Sequence, residues 1–532
     1  MGQPLENILS FHEIGKRATD RWPGRVETRE EASRLAVTLG VAPELLPETC
    51  TWLFTQQGYR FATLVVEEQA PNWSLRYVFY GPVGGGQVHV VTAFPLERMR
   101  CPSVSPGVHA ADWQEREAED LFGLTFEGHP RLGDFVLHEQ WPEGVNPMRA
   151  SFNAETPYRE REKAPEWRPN RILHAEGAFM MPIGPVFSGH AESAHFLLES
   201  VGEDVAHTIP RFFYKYRGVE KIAEGQTPDR VLLLAERFSG SSAFAHSLAF
   251  CQAVEEIAGV VAPMRARALR MVLAELERVR HHVAAIAGIC ASTALSVAAA
   301  QAHILEEELL RLTGRLTGHR YLFGLNLPGG LNRDFSDSDL AAVSAQLEEV
   351  QGRLAALFDK LRFTSSFLDR LEAVGTVSRE AALTYGLVGP VARASGVASD
   401  LRQSQPYAGY DLNFQVPSEE EGDGYARLRI LFREVEQSVA LCRQVATALP
   451  KGAILAEVRP KAGAALGWVE APRGAAFHWV RLDARGRVTR YRILPPSFVN
   501  WHGFHLAAED FAFQDFPIIM ATFGLSNAEC DR

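Results

Sequence analysis

At 532 residues the chain exceeds what one hydrophobic core ordinarily closes around, so two or more domains are expected. A hydrophobic content of 46% with 22% charged residues excludes a disordered chain, and a net charge of -11 without a basic stripe excludes nucleic acid as a general partner. The six cysteines (Cys50, Cys101, Cys251, Cys290, Cys442 and Cys530) contain no Cys-x-x-Cys pair, which excludes the usual zinc-ribbon and iron–sulfur spacings and any disulfide framework. The expectation is a reduced cytosolic protein with mostly buried thiols.

In chain order, Met1 to Trp22 lacks the basic region and apolar run of a secretory signal. Three β-rich runs follow, Tyr59–Val66, Ser74–Tyr80 and Gln87–Ala93. Gly81–Gly86 separates the second run from the third and reads as a hairpin loop. It does not read as a phosphate cradle, because no helix start follows it. A helix is predicted over Ala111–Phe122, ended by Gly123, with a turn at Gly128-His129-Pro130. His129 is read as a turn residue.

Ser151 to Asn170 is charged, contains proline and has no hydrophobic period, which marks an interdomain linker between units 1–150 and 171–532. Beyond it, apolar residues at three- and four-residue spacing predict helices over Pro263–Ala302, Ser338–Leu371 and Tyr425–Ala448. Gly324–Gly330 breaks the helical pattern, and Phe477–Leu494, with a turn at Asp483–Gly486, predicts a β-hairpin. Val283–Ala302 carries no charge, but its alanine-rich composition predicts a helix buried inside a bundle and not a membrane span. His281 and His282, beside Arg278 and Arg280, read as surface or interface residues.

Two stretches carry a resemblance. Glu115–Pro130 (Glu-Arg-Glu-Ala-Glu-Asp-Leu-Phe-Gly-Leu-Thr-Phe-Glu-Gly-His-Pro) resembles the signature of the C subunit of NADH:quinone oxidoreductase, complex I. Glu236–Ser247 resembles the first metal-ligand segment of the large subunit of membrane-bound, energy-converting nickel–iron hydrogenases of the formate hydrogenlyase type. Met181–Val186, Tyr216–Lys221, Gly389–Gly396 and Glu470–Gly474 match further segments of that subunit in the same order. The resemblance implies an α+β chain: an α/β docking domain like the C subunit, then a mainly helical domain with small β elements like the hydrogenase large subunit and the D subunit of complex I.

In that family four cysteines, in two Cys-x-x-Cys pairs, hold nickel and iron. Here the corresponding positions are Ser239 and Ser242, then Ser526 and Glu529, with Cys530 one residue out of register. Hydroxyls and one carboxylate are hard, weakly binding donors where nickel takes soft thiolates, so no metal is expected. A hard-metal site from Glu529 and Glu220 has no supporting ligand cluster. The family also places Glu220, Arg237, His246 and Arg473 around the pocket, with Glu220 and Arg473 as candidates for a proton relay. If they converge, Glu220 pairing with Arg473 would be the low-energy arrangement.

The other use of the fold is quinone binding. There the candidate cavity residues are His190, Ser239, Gly240 and Ser242, although Phe187 and Gly240 stand where that family has its histidine and tyrosine. Three readings stay open. One is a metal-free large subunit coupling electron arrival to proton or ion movement, the second a quinone-reducing module, and the third a structural assembly subunit. In each the chain itself binds no metal or cluster. A partner iron–sulfur subunit carries a 4Fe–4S cluster, membrane-arm subunits complete the complex, and the chain sits peripherally on the cytoplasmic face of the membrane.

Overall fold

The computed structural model describes residues 10–31, 35–82, 84–161, 172–174, 176–186, 192–410 and 414–532. The chain divides into two compact units, Met1–Arg171 with Thr384–Gly386, and Ile172–Leu383 with Leu387–Arg532. Residues 162–170 of the expected linker lie outside the described residues, as do Arg171, Phe187 and His190.

The first unit is built on a five-stranded sheet. Its strands run in the order Val26–Glu31, Ala36–Val41, Gln87–Pro95, Asn72–Tyr80 and Arg60–Gln69. All neighbours are antiparallel except Ala36–Val41 with Gln87–Pro95. The three predicted strands are present, each longer than expected by a few residues, because cross-strand pairing continues past the β-rich runs. The glycine loop closes by Gly81 N–H donating to Gly86 O at 2.7 Å.

The predicted acidic helix spans Asp112–Phe122 and ends on Gly123 at φ 77°, a left-handed cap that favours glycine. Its Glu115 is fully buried and accepts bonds from Tyr77 Oη (2.8 Å), Ser103 Oγ (2.5 Å) and Val104 N (2.8 Å). Burial pushes the Glu115 carboxyl up from its ordinary value, and these donors act against that. Asp120 accepts from the backbone N–H groups of Phe135, Val136 and Leu137. The signature helix is thus an internal anchor, whose carboxylates satisfy loops that carry no ladder of their own. His129 stands in its turn and accepts from Arg131 N at 3.0 Å.

The second unit is mainly helical. The apolar stretch read as one helix over Pro263–Ala302 is two: Met264–Ser292 and Ser296–Thr317, broken where Ala294 takes φ 63°. The first is buried along most of its length, whereas Val297 and Ile304 on the second are 76% and 53% exposed, so the expected all-round burial of 283–302 fails beyond the break. Among the described residues no helix is long and apolar enough to cross a membrane. The predicted helix over Ser338–Leu371 ends earlier, as Asp337–Leu361, with a capping box at Ser336 and Asp339. The third is Gly424–Thr447, capped by Asp423.

The predicted hairpin is Gly474–Leu482 with Val488–Leu494, and a third strand, Gly463–Ala471, completes an antiparallel sheet. This sheet packs on the helices Pro228–Arg237 and Ala243–Ala258, with Val231, Phe250, Val254, Val480 and Ile493 in the shared core. Contact is close enough that a Cβ on Gly467 would lie 1.8 Å from the carbonyl oxygen of Ala249. Gly467→Ala is therefore expected to cost about 1–3 kcal/mol through displacement of that helix, read as a fall in the denaturation midpoint.

Candidate active site at Arg473 and Glu529

The helix Pro228–Arg237 ends just before Ser239, and a single turn at Gly240–Ser242 leads into the helix Ala243–Ala258. That turn is held from the side by Met264–Ser292. Glu277 accepts from the first amides of the new helix, Phe244 N at 2.8 Å and Ala245 N at 3.0 Å, which otherwise have no intrahelical partner. Burial raises the Glu277 carboxyl to about 7. Arg280 donates to Ser241 O at 2.5 Å.

From the far end of the chain, the segment 524–532 folds back to the same place. Glu529 is fully buried. Its Oε1 accepts from Ser239 Oγ at 3.0 Å and from Arg473 Nη1 at 3.2 Å, and its Oε2 accepts from Ser497 N at 3.0 Å. Arg473 Nη1 also donates to Ser241 Oγ (3.0 Å) and Ser242 Oγ (3.3 Å), and its Nε to Gly524 O (2.7 Å). The Arg473 guanidinium, aided by the other donors to the carboxylate, outweighs burial and holds the Glu529 carboxyl at about 2. Ser526 turns elsewhere: its hydroxyl faces Glu192 Oε2 at 3.2 Å and its N–H donates to Ser497 Oγ.

Of the residues singled out in the sequence, the structure brings together Ser239, Ser242, Arg473, Glu529 and His246, whose Nε2 lies 3.9 Å from Glu529. Glu220 does not pair with Arg473. It receives Arg490 (2.8 Å), Arg492 (3.3 Å) and Ile493 N (3.0 Å), with Arg532 at 3.6 Å, and these cations overcome burial to lower its carboxyl to about 2. The Glu220–Arg473 pairing expected from the sequence fails because each group finds a nearer counter-charge. Arg237 is also absent from the cluster; it is half-exposed, stacked over Phe323 at 5.4 Å. Gly240 is exposed beside Phe323, and His190 lies outside the described residues.

The expected surface position of His281 and His282 is corrected as well. Both are buried, as are Arg278 and Arg280. His282 Nε2 is 2.8 Å from Glu434, inside a buried network in which Arg393 bonds Glu434 (2.6 Å) and Glu470 (2.8 Å), and Arg402 bonds Glu275 and Asp400. A basic cluster on a long helix looks solvated in one dimension; here His282 meets Glu434 of Gly424–Thr447, and Arg278 donates to the backbone oxygens of Glu470 and Ala471 in the sheet.

His281 instead faces a cavity of about 760 Å³. At one end stand Ser241, His281, Arg280 and Arg473. Along its length run Ala284, Ala285, Gly288 and Ser292 of the Met264–Ser292 helix, opposite Phe516, Pro517 and Met520. From His281 to Ser292 the helix rises about 16 Å. The cavity takes Ser241 and Arg473 from the site, whereas Ser239, Gly240 and Ser242, the residues expected to line it, do not face it. Ser241, Ser497 and Glu277 were not foreseen; only the placement of Ser241 between the two ligand positions hinted at a role.

The residues do not fit a nickel–iron centre. Every donor at the four positions is oxygen, the Ser239 hydroxyl and the Glu529 carboxylate are spent on each other and on Arg473, and the positive charge in their midst is a guanidinium.

Residues 39–158 match the family model of the respiratory-chain NADH dehydrogenase 30 Kd subunit, and residues 294–462 and 454–532 match that of the 49 Kd subunit. The chain is 29% identical over 525 residues to formate hydrogenlyase subunit 5 of Escherichia coli, covering 96% of this chain and 92% of that one. It is 28% identical over 524 residues to hydrogenase-4 component G of the same organism, covering 96% and 91%. It is also 28% identical over 467 residues to the C/D subunit of NADH-quinone oxidoreductase from Bdellovibrio bacteriovorus, covering 80% and 82%. With both subunit types in order along one polypeptide, the chain belongs to the superfamily that joins the fused C and D subunits of complex I to the large subunits of formate-hydrogenlyase-type hydrogenases.

Proposed function

We propose that the chain is a metal-free large subunit of a membrane-associated oxidoreductase complex. It passes the effect of electron arrival at a partner's 4Fe–4S cluster to membrane-arm subunits that move protons or ions, and it sits peripherally on the cytoplasmic face. The single observation that supports this best is the Arg473–Glu529 ion pair, with Ser239, at the ligand positions of the hydrogenase-like segments. The ion pair supplies the buried charge that a metal would otherwise supply, so the pocket is kept folded and polar without a cofactor. The names of the relatives support membership of such a complex.

The test is recovery of the tagged chain from solubilised membranes. An iron–sulfur subunit with the paramagnetic signal of a reduced 4Fe–4S cluster is expected to accompany it, with redox turnover but neither uptake nor release of hydrogen. Isolation of the chain alone, or hydrogen turnover, contradicts the proposal.

A second reading, quinone reduction, is favoured by the cavity. Its apolar slot ends in the hydrogen-bonding groups of Ser241, His281 and Arg473, which suits a ring with carbonyl oxygens and an apolar tail. A Cβ on Gly288 meets nothing within 4 Å, so Gly288→Phe is expected to fill the slot while the fold survives. Under this reading quinone reduction by the complex is abolished in the variant; unchanged turnover rejects it.

A further inference from the structure

Behind Glu529 three buried polar groups stand in line. His246 Nδ1 lies 3.0 Å from His478 Nε2, and His478 Nδ1 lies 2.7 Å from Tyr491 Oη. All three side chains are fully buried, and the Phe238 ring packs on His246 at 4.5 Å. His246 Nε2 has no hydrogen-bond partner among the described residues and faces Glu529 Oε1 at 3.9 Å.

A nitrogen–nitrogen contact of this length needs one donor and one acceptor, which leaves two orderings for neutral rings. In the first, Tyr491 donates to His478 Nδ1, His478 Nε2–H donates to His246 Nδ1, and His246 Nε2–H points at the Glu529 carboxylate. In the second, the protons run the other way; a bare lone pair then faces that carboxylate and the Tyr491 hydroxyl hydrogen has no acceptor among the described residues. The first ordering gives the Tyr491 and His478 protons an acceptor and turns the His246 Nε2–H toward a carboxylate 3.9 Å away, and the second leaves two groups in conflict.

We propose that His246 and His478 form a buried one-proton store set against the charge of Glu529, with Tyr491 selecting the tautomer of the empty state. Uptake of one proton from solvent changes only N–H and O–H bonds. The His478 Nε2 proton passes to His246 Nδ1, the incoming proton ends on His478 Nδ1, and Tyr491 Oη turns from donor to acceptor. His246 is then an imidazolium beside Glu529, and His478 stays neutral.

The charged groups around the line favour this placement. Glu529 attracts the added charge, and Arg473, 3.2 Å from Glu529, competes for it. Burial, then the neighbouring His246 and Arg532, keep the proton affinity of the His478 ring low. At the far end Glu220 and the buried thiol of Cys251 act on Tyr491, whose phenol burial keeps protonated. Any change that draws Arg473 away from Glu529 therefore fills the store, and any neutralisation of Glu529 empties it. The store works in the same way whether or not the neighbouring cavity takes a quinone.

The test is a histidine ¹⁵N titration of the full chain. At pH 8.5 both rings are expected neutral with the proton on Nε2. At pH 5.5 His246 is expected doubly protonated and His478 neutral with its proton on Nδ1. Glu529→Gln keeps the shape and is expected to lower the proton affinity of the pair by about tenfold or more. A His478 Nδ1–H tautomer at pH 8.5, two neutral rings at pH 5.5, or a titration unmoved by Glu529→Gln overturns the proposal. Should that variant fail to fold, Tyr491→Phe removes only the hydroxyl. It is expected to mix the two His478 tautomers at pH 8.5, and a single unchanged tautomer overturns the proposal equally.

Discussion

Replacing Arg473 by methionine is expected to lower the stability of the chain by about 3–5 kcal/mol, because it leaves Glu529 buried and ionised without its counter-charge. Ser239 and Ser497 still donate to the carboxylate, but neutral donors do not replace a guanidinium at 3.2 Å. Arg473→Met with Glu529→Gln is expected to recover most of the loss, since the charge that needed a partner is gone. Urea denaturation of the single and double variants measures both, and their non-additivity gives the coupling directly.

The pH dependence follows with a definite sign. The Glu529 carboxyl is depressed to about 2 in the folded chain, below the ordinary glutamate value. Its contribution is therefore complete above the unfolded value and is lost as pH falls through about 2. Glu220, held at about 2 by Arg492, Arg490 and Arg532, behaves the same way. In the Arg473→Met variant the Glu529 part of this acid transition is expected to vanish or invert, while the Glu220 part remains.

The second large effect is expected at Arg393. This guanidinium is fully buried and bonds Glu434 at 2.6 Å and Glu470 at 2.8 Å, with Asp400 at 3.5 Å. It ties together Gly389–Ala394, Gly424–Thr447 and Gly463–Ala471. Arg393→Met is expected to cost at least about 3–5 kcal/mol, because it abandons carboxylates and not merely a contact. Arg393→Lys is expected to recover little, since an ammonium cannot span the same carboxylates as a planar fork. Loss of soluble full-length protein, or a midpoint shift exceeding that of Gly467→Ala, is the expected readout. A shift within the range of ordinary surface substitutions would mean that the network does not hold the folded state together.

Local periodicity made much of this architecture legible. Three of the five sheet strands of the first unit, the acidic helix ending at Gly123 and the last hairpin were readable because each rests on a signal confined to a few neighbouring residues. The break at 293–295 was not, because alanine-rich sequence continues the helical pattern through a turn that tertiary packing imposes.

For the site, three of the four altered ligand positions, Ser239, Ser242 and Glu529, converge with Arg473, whereas Ser526 faces Glu192. The pairing did not follow from sequence. Glu220 and Arg473 are neighbours by analogy, but which cation reaches which carboxylate depends on where Val488–Leu494 delivers Arg490 and Arg492. Glu529 was legible only as a missing cysteine, and its role as the counter-ion of Arg473 requires the fold of 524–532 against Ser497. His281 and His282 were misplaced for a related reason. A basic run on a helix signals solvent unless buried carboxylates neutralise it, as Glu434 of another helix and Glu275 of the same helix do here.

Under the proposed function, the Arg473–Glu529 ion pair stands where the resemblance to hydrogenases implies metal ligands. Elemental analysis of the chain purified in its complex, with nickel counted per polypeptide and iron counted against the clusters of the partner subunit, tests this most directly. Only trace nickel, and no iron beyond that in the clusters, is expected. Stoichiometric nickel, lost together with activity on chelation, would contradict it.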